Sequence, residues 1–231
     1  MREVTLLFDF DGTLVRLDKL GAYSQVVAEH GRGDTSGLAE DLCRLDNEQC
    51  AAGMPDRYPI FKKFADRFKA GRVEDLCVAF WERMTQGQTL QPDCLWTLDM
   101  LAAKGYVLVC VTDTDGTGSN KRQRIHAALP RHFPEDRVFI GRENIPYGKD
   151  PTTRYMEAVV ARLRANPARC IMIGDKVEID LIPAQAVGMQ TILMKNERYP
   201  GTWDPQIERL SELVPLVRNL EIQPALGRPT L

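Results

Sequence analysis

Residues 6–14 read Leu6-Leu7-Phe8-Asp9-Phe10-Asp11-Gly12-Thr13-Leu14. An apolar run stops at two carboxylates spaced two residues apart, followed by a glycine and a threonine. A strand buried on both faces is a near-continuous apolar run. Two acids at its C-terminal edge cost desolvation unless a cation, or a phosphate with its metal, pairs with them. In open α/β sheets, ligands bind outside the carboxyl ends of the strands. The stretch therefore predicts a strand of such a sheet with a phosphoryl or metal site at its end.

Working outward, strand-like apolar runs recur at 106–111, 137–140, 169–173 and 190–194, besides the first at 4–8. Helical patterns fall at about 92–104, 119–129, 151–164, 178–187 and 205–220, with Pro92 and Pro151 where first-turn prolines are tolerated. This alternation predicts an α/β fold: a three-layer, Rossmann-like core with a parallel sheet and helices on both faces. Residues 16–91 break the alternation. They hold no strand-like run, and their helical stretches (19–30, 36–52, 57–69 and 73–85) are punctuated by glycines and Pro55. The expected organisation is a core of residues 1–15 and 92–222, an inserted all-helical cap at 16–91, and a loose tail at 223–231. Such a cap over the sheet edge excludes water from a reaction.

The 231 residues suffice for a sizeable core. Hydrophobic content of 44% and charged content of 27% are globular values, which excludes a disordered chain. A net charge of −2 provides no basic field for a nucleic acid polymer. The six cysteines form no CxxC pair and lie near none of His30, His126 and His132, which argues against zinc. Reduced thiols in a cytoplasmic protein are expected. The N-terminal apolar run is too short for a signal peptide or a membrane span.

Four polar groups stand at the ends of strand-like runs. They are Asp9 with Asp11; Thr112 with Asp113; Lys149, in Tyr147-Gly148-Lys149-Asp150-Pro151; and Asp175 with Asp180, in Gly174-Asp175-Lys176-Val177-Glu178-Ile179-Asp180. Together they resemble the motifs of the haloacid dehalogenase superfamily, whose members are mostly magnesium-dependent phosphatases. The resemblance runs from Phe8 to Met189. DFDGT resembles the first motif, and GDKVEID resembles GDxxxxD, followed by an alanine-containing helix ending in Gly188-Met189.

The resemblance implies a phosphatase with a helical (C1-type) cap, similar to phosphoglycolate phosphatases or to sugar or nucleotide phosphatases. It implies Asp9 as a nucleophile that forms an aspartyl-phosphate, which splits one hard step into two easier ones. Asp11 would protonate the leaving oxygen and later activate water. Mg²⁺, which prefers oxygen ligands, would be held by the Asp9 carboxylate, the Asp11 carbonyl and Asp175, with Asp180 acting through water or as an orienter. Thr112, Asp113 and neighbouring backbone N–H groups would bind phosphoryl oxygens, and Lys149 would offset charge. Dehalogenases of the superfamily lack an acid at the position of Asp11, so phosphate chemistry is expected. A phosphonatase would need a cap lysine, and Lys19, Lys62, Lys63 and Lys69 stand in no context that identifies one. The chain departs from the family pattern at Lys176, where Ser or Thr is common, and at Asp150, which interrupts GKPxP.

Asp113-Thr114-Asp115-Gly116-Thr117 is a second DxDGT. Reading it as the first motif would leave Asp9 and Asp11 without a role. It is read as the second motif at Thr112-Asp113, followed by a loop at 115–117. The expected activity is hydrolysis of a small phosphorylated metabolite, with no membrane or nucleic acid partner, by a monomer or homodimer. A phosphomutase, or a catalytically weak binding or regulatory module on the same fold, is the alternative. Tyr58, Phe61, Phe64, Phe68, Phe80 and Trp81 have helical spacing and read as cap core. Arg16, Arg57, Lys62 and Lys63 read mainly as solvated cations, although any of them could meet a substrate anion. Asp180 could also simply serve its helix's first turn.

Overall fold

The computed structural model describes residues 4–69 and 71–222; the expected tail at 223–231 lies outside the described residues. Five strands form the body of the sheet: β1 (Thr5–Phe8), then, after two short strands β2 (Val15–Arg16) and β3 (Thr89–Leu90), β4 (Val107–Asp113), β5 (Val138–Gly141), β6 (Cys170–Gly174) and β7 (Gln190–Met194). A short β8 (Gln206–Ile207) completes it, in the order β5-β4-β1-β6-β7-β8 with every pairing parallel. β1 lies at the centre. Its register sets Phe8 against Cys110 of β4 on one side and Ile173 of β6 on the other.

Alternation along β1 divides the core into two faces. Leu6 and Phe8 pack with α5 (Cys94–Ala103), α6 (Lys121–Ala128) and α9 (Leu213–Ile222) through Leu98, Leu101, Ile125, Leu213 and Val217. Leu7 packs on the other face with Tyr155, Met156 and Val159 of α7 (Arg154–Leu163) and with Ala184 of α8 (Ile182–Ala186). Leu6, Leu7 and Phe8 are all fully buried, and each such side chain contributes about 1.5–3 kcal/mol. A polar residue at Leu7 would break the second face.

Between β2 and β3 run α1 (Lys19–His30), α2 (Leu38–Ala51), α3 (Tyr58–Lys63) and α4 (Val73–Gln86). Asp18 caps α1, its carboxylate accepting from the Gly21 N–H at 2.8 Å. These helices share a core of their own in which Tyr23, Phe61, Phe68, Phe80 and Trp81 are buried and Tyr58 and Phe64 are packed against it. The Tyr23 and Phe80 rings meet at 4.4 Å.

Three stretches differ from expectation. The 16–91 region begins and ends in strand: β2 pairs antiparallel with β3, Val15 opposite Leu90, clamping the two chain crossings together. A pairing this short has no periodicity to read. The stretch at 205–220 starts as β8, which takes the open edge of β7 through Leu193 N–H to Pro205 O (3.1 Å) and Lys195 N–H to Ile207 O (2.8 Å). The stretch at 178–187 opens with a π-helical turn over Val177–Leu181 before α8.

Candidate active site

The parallel register brings three strand ends to one sheet edge. Asp9 follows β1 and donates its N–H to Ile173 O at 2.9 Å, so it stands beside Asp175, which follows β6. Thr112 and Asp113 close β4 on the other side of β1. The π-helical turn then folds Asp180 back toward the same point. Its N–H donates to Lys176 O, and its Oδ2 accepts from the Lys176 N–H at 3.0 Å. Gly174 is required here, because a Cβ on it would stand 2.6 Å from Asp180 Cβ.

Asp9, Asp175 and Asp180 each offer a carboxylate oxygen within 4.8 Å of the others, and all three are buried. Lys149 Nζ donates to Asp9 Oδ1 at 2.6 Å and is ion-paired with Asp180. Asn196 Nδ2 donates to Asp175 Oδ2 at 2.9 Å. Asp9 Oδ2 and Asp175 Oδ1 have no hydrogen-bond partner among the described residues. Buried oxygens are nearly always satisfied, so two orphans in one acidic cluster call for a cation. Burial raises the Asp9 carboxyl pKa, and Lys149 only partly opposes it. Burial pushes Asp175 up to about 7, against the pull of Lys176 and with the repulsion of Asp9 and Asp180. Lys149 and Lys176 stay firmly charged: burial opposes the charge, but Asp180 and Asp9 outweigh it for Lys149, and Asp175 and Asp9 for Lys176. Lys176 lies over the Tyr199 ring at 4.8 Å.

Gly12 fits this cluster against the turn after Asp11. Its φ is +91°, and a Cβ on it would lie 2.1 Å from Asp175 Oδ2.

Asp11 does not join the three carboxylates. Its Oδ1 accepts from Arg124 Nη2 at 2.7 Å, and its Oδ2 is ion-paired with Lys121. Arg124 and Lys121 in turn hold Asp115, at 2.6 and 2.7 Å. The result is a closed ring of two cations and two acids at the start of α6. Burial would raise the Asp11 carboxyl, but Arg124 and Lys121 overrule it and hold Asp11 far below the usual carboxylate range.

Of the residues expected at the site, Asp9, Lys149, Asp175 and Asp180 come into direct contact or ligand range of one another. Thr112 reaches the same edge, its carbonyl accepting from Tyr155 at 3.0 Å. Asp113 arrives there too, but its carboxylate accepts from Arg142 Nη1 at 2.7 Å and from the Thr114 N–H. Residues 115–117 form a loop, as read, and Asp115 is buried in it at 2% exposure. Arg57, expected in solvent, is buried at 5%, because Asp46 and the Trp81 ring take it inside. Lys121, Arg124 and Asn196 were missed altogether. One signal was available: Lys121 opens a helix, where the macrodipole disfavours a cation, so a partner other than the helix must hold it.

Residues 4–188 match the family model described as haloacid dehalogenase-like hydrolase. The ribulose-1,5-bisphosphate 5-phosphatase of Halopiger xanaduensis is 26% identical over 147 residues, which are 62% of this chain and 59% of that protein. The chain thus spans less than two thirds of that relative. A HAD phosphatase from Thermococcus onnurineus superposes with a TM-score of 0.63 at 25% identity, covering 93% of this chain and 97% of that one. The magnesium-bound YfnB hydrolase of Bacillus subtilis gives 0.70 at 20% identity, covering 94% and 99%. CbbY of Rhodobacter sphaeroides with xylulose-(1,5)bisphosphate gives 0.63 at 18%, covering 92% and 96%. The last two likenesses are of fold.

Proposed function

The chain belongs to the haloacid dehalogenase-like hydrolases, and from that membership we propose that it is a Mg²⁺-dependent phosphatase acting on a small phosphomonoester, a sugar phosphate in the first instance. The observation that carries this reading is Asp9: one carboxylate oxygen is held by Lys149, the other is unpartnered, and two further buried carboxylates stand beside it. The names of the relatives favour a phosphorylated sugar.

The donor set suits Mg²⁺, because it is all oxygen, buried and under-neutralised. Asp9, Asp175 and the Asp11 carbonyl would hold the ion, and Asp180, engaged by Lys149 and the Lys176 N–H, would orient the set. When bound, the ion would draw charge from the phosphoryl oxygens. Lys149 fixes the Asp9 carboxylate for attack on phosphorus. A bond forms from Asp9 oxygen to phosphorus as the bond to the alcohol oxygen breaks, giving an aspartyl-phosphate and the free alcohol. Thr112 and the backbone N–H groups after it bind the transferring oxygens. Asp11 gives its proton to the leaving oxygen and later takes one from the water that releases phosphate. To do so it must first leave Lys121 and Arg124, since their pairing keeps it ionised, and take a proton from solvent; Asp115 stays paired with both cations. Helices α1–α4, over residues 16–91, act as the cap.

Hydrolysis of p-nitrophenyl phosphate tests the reading. Activity is expected with Mg²⁺, loss with EDTA, and a fall of roughly a thousandfold or more in Asp9→Asn. A folded protein that is inactive at every pH from about 5 to 9 with Mg²⁺ overturns it.

A further inference from the structure

The residue after Asp175 is a lysine whose charge the reaction above does not use. Lys176 is clamped at its backbone: its N–H donates to Asp180 Oδ2 at 3.0 Å, and its carbonyl accepts from the Asp180 N–H at 2.9 Å. Asp9, Asp175 and Asp180 form the buried carboxylate edge, so this side chain springs from the edge itself. Among the described residues its ammonium makes no ion pair and no hydrogen bond. It lies instead over the Tyr199 ring, 4.8 Å from the ring centre.

The turn after β7 builds the seat for that ammonium. Asn196 Nδ2 donates to Asp175 Oδ2 at 2.9 Å, and the Tyr199 N–H donates to Asn196 O at 3.2 Å. One tight turn thus holds Asp175 with its first residue and carries Lys176 on its last. The turn is itself fixed: the Arg198 N–H donates to Asn196 Oδ1 at 2.9 Å, and Arg198 Nη2 donates to Leu17 O at 3.0 Å. An ammonium on an aromatic face is attracted to the ring and remains a full charge. The lysine is held in place without giving up its charge to a carboxylate.

Three carboxylates at the edge therefore meet two lysines, and the two act differently. Lys149 touches Asp9 and Asp180 directly. Lys176 acts on Asp175, Asp9 and Asp180 across space. Because it binds no carboxylate oxygen with its ammonium, Asp9 Oδ2 and Asp175 Oδ1 stay free. Both oxygens remain open to a metal ion, but the ion must enter the field of a fixed positive charge. At an effective dielectric of about 20, one unit charge several ångströms from a divalent ion changes its affinity by roughly tenfold or more.

We infer that Lys176, seated on Tyr199, is a tethered cation that steadies the carboxylate edge before the metal arrives and holds its Mg²⁺ affinity about tenfold or more below that of the same edge without the lysine. The ion is thereby exchangeable rather than permanently held. The inference rests on the Mg²⁺ site proposed above and concerns the strength of that site.

Calorimetric titration of magnesium chloride into the metal-free protein tests this without turnover. Lys176→Gln is expected to bind Mg²⁺ about tenfold or more tightly than the unmodified chain, and Lys176→Arg, which keeps the charge, to stay within about threefold of it. Lys176→Thr covers the case in which the glutamine variant does not fold, and it should show the same tighter binding. Melting curves supply a second readout. The neutral variants should be less stable than the unmodified protein in EDTA and gain more from a fixed excess of Mg²⁺. A lysine of merely structural use would lower the melting temperature equally with and without the ion. Mg²⁺ affinity that is equal or weaker in the neutral variants overturns the tethered cation, as does an arginine variant that binds as tightly as they do. Failure of the metal reading looks different: neither the unmodified chain nor any variant binds Mg²⁺ at millimolar concentration, which overturns the site and the inference together.

Discussion

Asp11 stands two residues from Asp9, yet its carboxylate has a different set of partners. Asp9 meets Lys149, whereas Asp11 meets Lys121 and Arg124, which also hold Asp115. Neighbouring acids are thereby given opposite electrostatic settings, one pushed up by burial and one held down by cations. Removing the proton carrier should spare binding: Asp11→Asn is expected to lower kcat about 10²–10⁴-fold with little change in KM, by steady-state kinetics on p-nitrophenyl phosphate. Gly12 gives a second prediction at this scale. Gly12→Ala places a methyl on Asp175 in a backbone conformation that L residues avoid, so thermal stabilisation by Mg²⁺ should vanish in a melting curve even where the fold survives. Asp9 and Asp175 were legible because each ends an apolar strand run, and Lys149 because it stands in the Gly-Lys stretch before the helix at 154–163. Lys121 and Arg124 were not, because their contact with Asp11 joins residues more than a hundred positions apart, and only the fold creates it.

Among the elements, the strands of the core were legible from composition, because strands buried on both faces carry uniform apolar runs. The pairing of β2 with β3 and the edge strand β8 were not, since two-residue strands are set by their neighbours. In the helical body the aromatic spacing identified the core, but it hid the charged cluster on α1, α2 and the start of α3. Asp46 there makes the body acid-sensitive. Burial would raise its pKa, but Arg57 and Lys19 lower it below the unfolded value. The stabilisation is therefore complete above the ordinary carboxylate range, near pH 4, and is lost as pH falls through the lower folded value. Thermal melts should show Asp46→Asn less stable by about 3–5 kcal/mol at neutral pH, because the two buried cations lose their carboxylate. That gap should narrow below about pH 4.

For the molecule as a whole, buried charge gathers at the core edge and inside the helical body. The core edge has three carboxylates for Lys149 and the nearby Lys176, and the helical body has two cations for Asp46. A metal ion at the core edge would answer the first imbalance, in a structure already closed through Asp56–Thr117 and Arg198–Leu17. Mg²⁺ binding should also be linked to protons. Asp175, raised to about 7, must release its proton to solvent before it can hold the ion, so apparent Mg²⁺ affinity should weaken up to about tenfold per pH unit below 7 and level off above it, by calorimetry. The sequence carried the catalytic edge at this scale and not the closure, because closure depends on loop contacts with no pattern of their own. Asp9 is the proposed acceptor of the phosphoryl group. Acid-quenching the enzyme during turnover of p-nitrophenyl phosphate and mapping its peptides by mass spectrometry examines that bond itself. The expected result is a phosphoryl mass on the peptide bearing Asp9, absent in Asp9→Asn. Steady turnover with Asp9 never phosphorylated, or undiminished turnover in Asp9→Asn, would contradict the account.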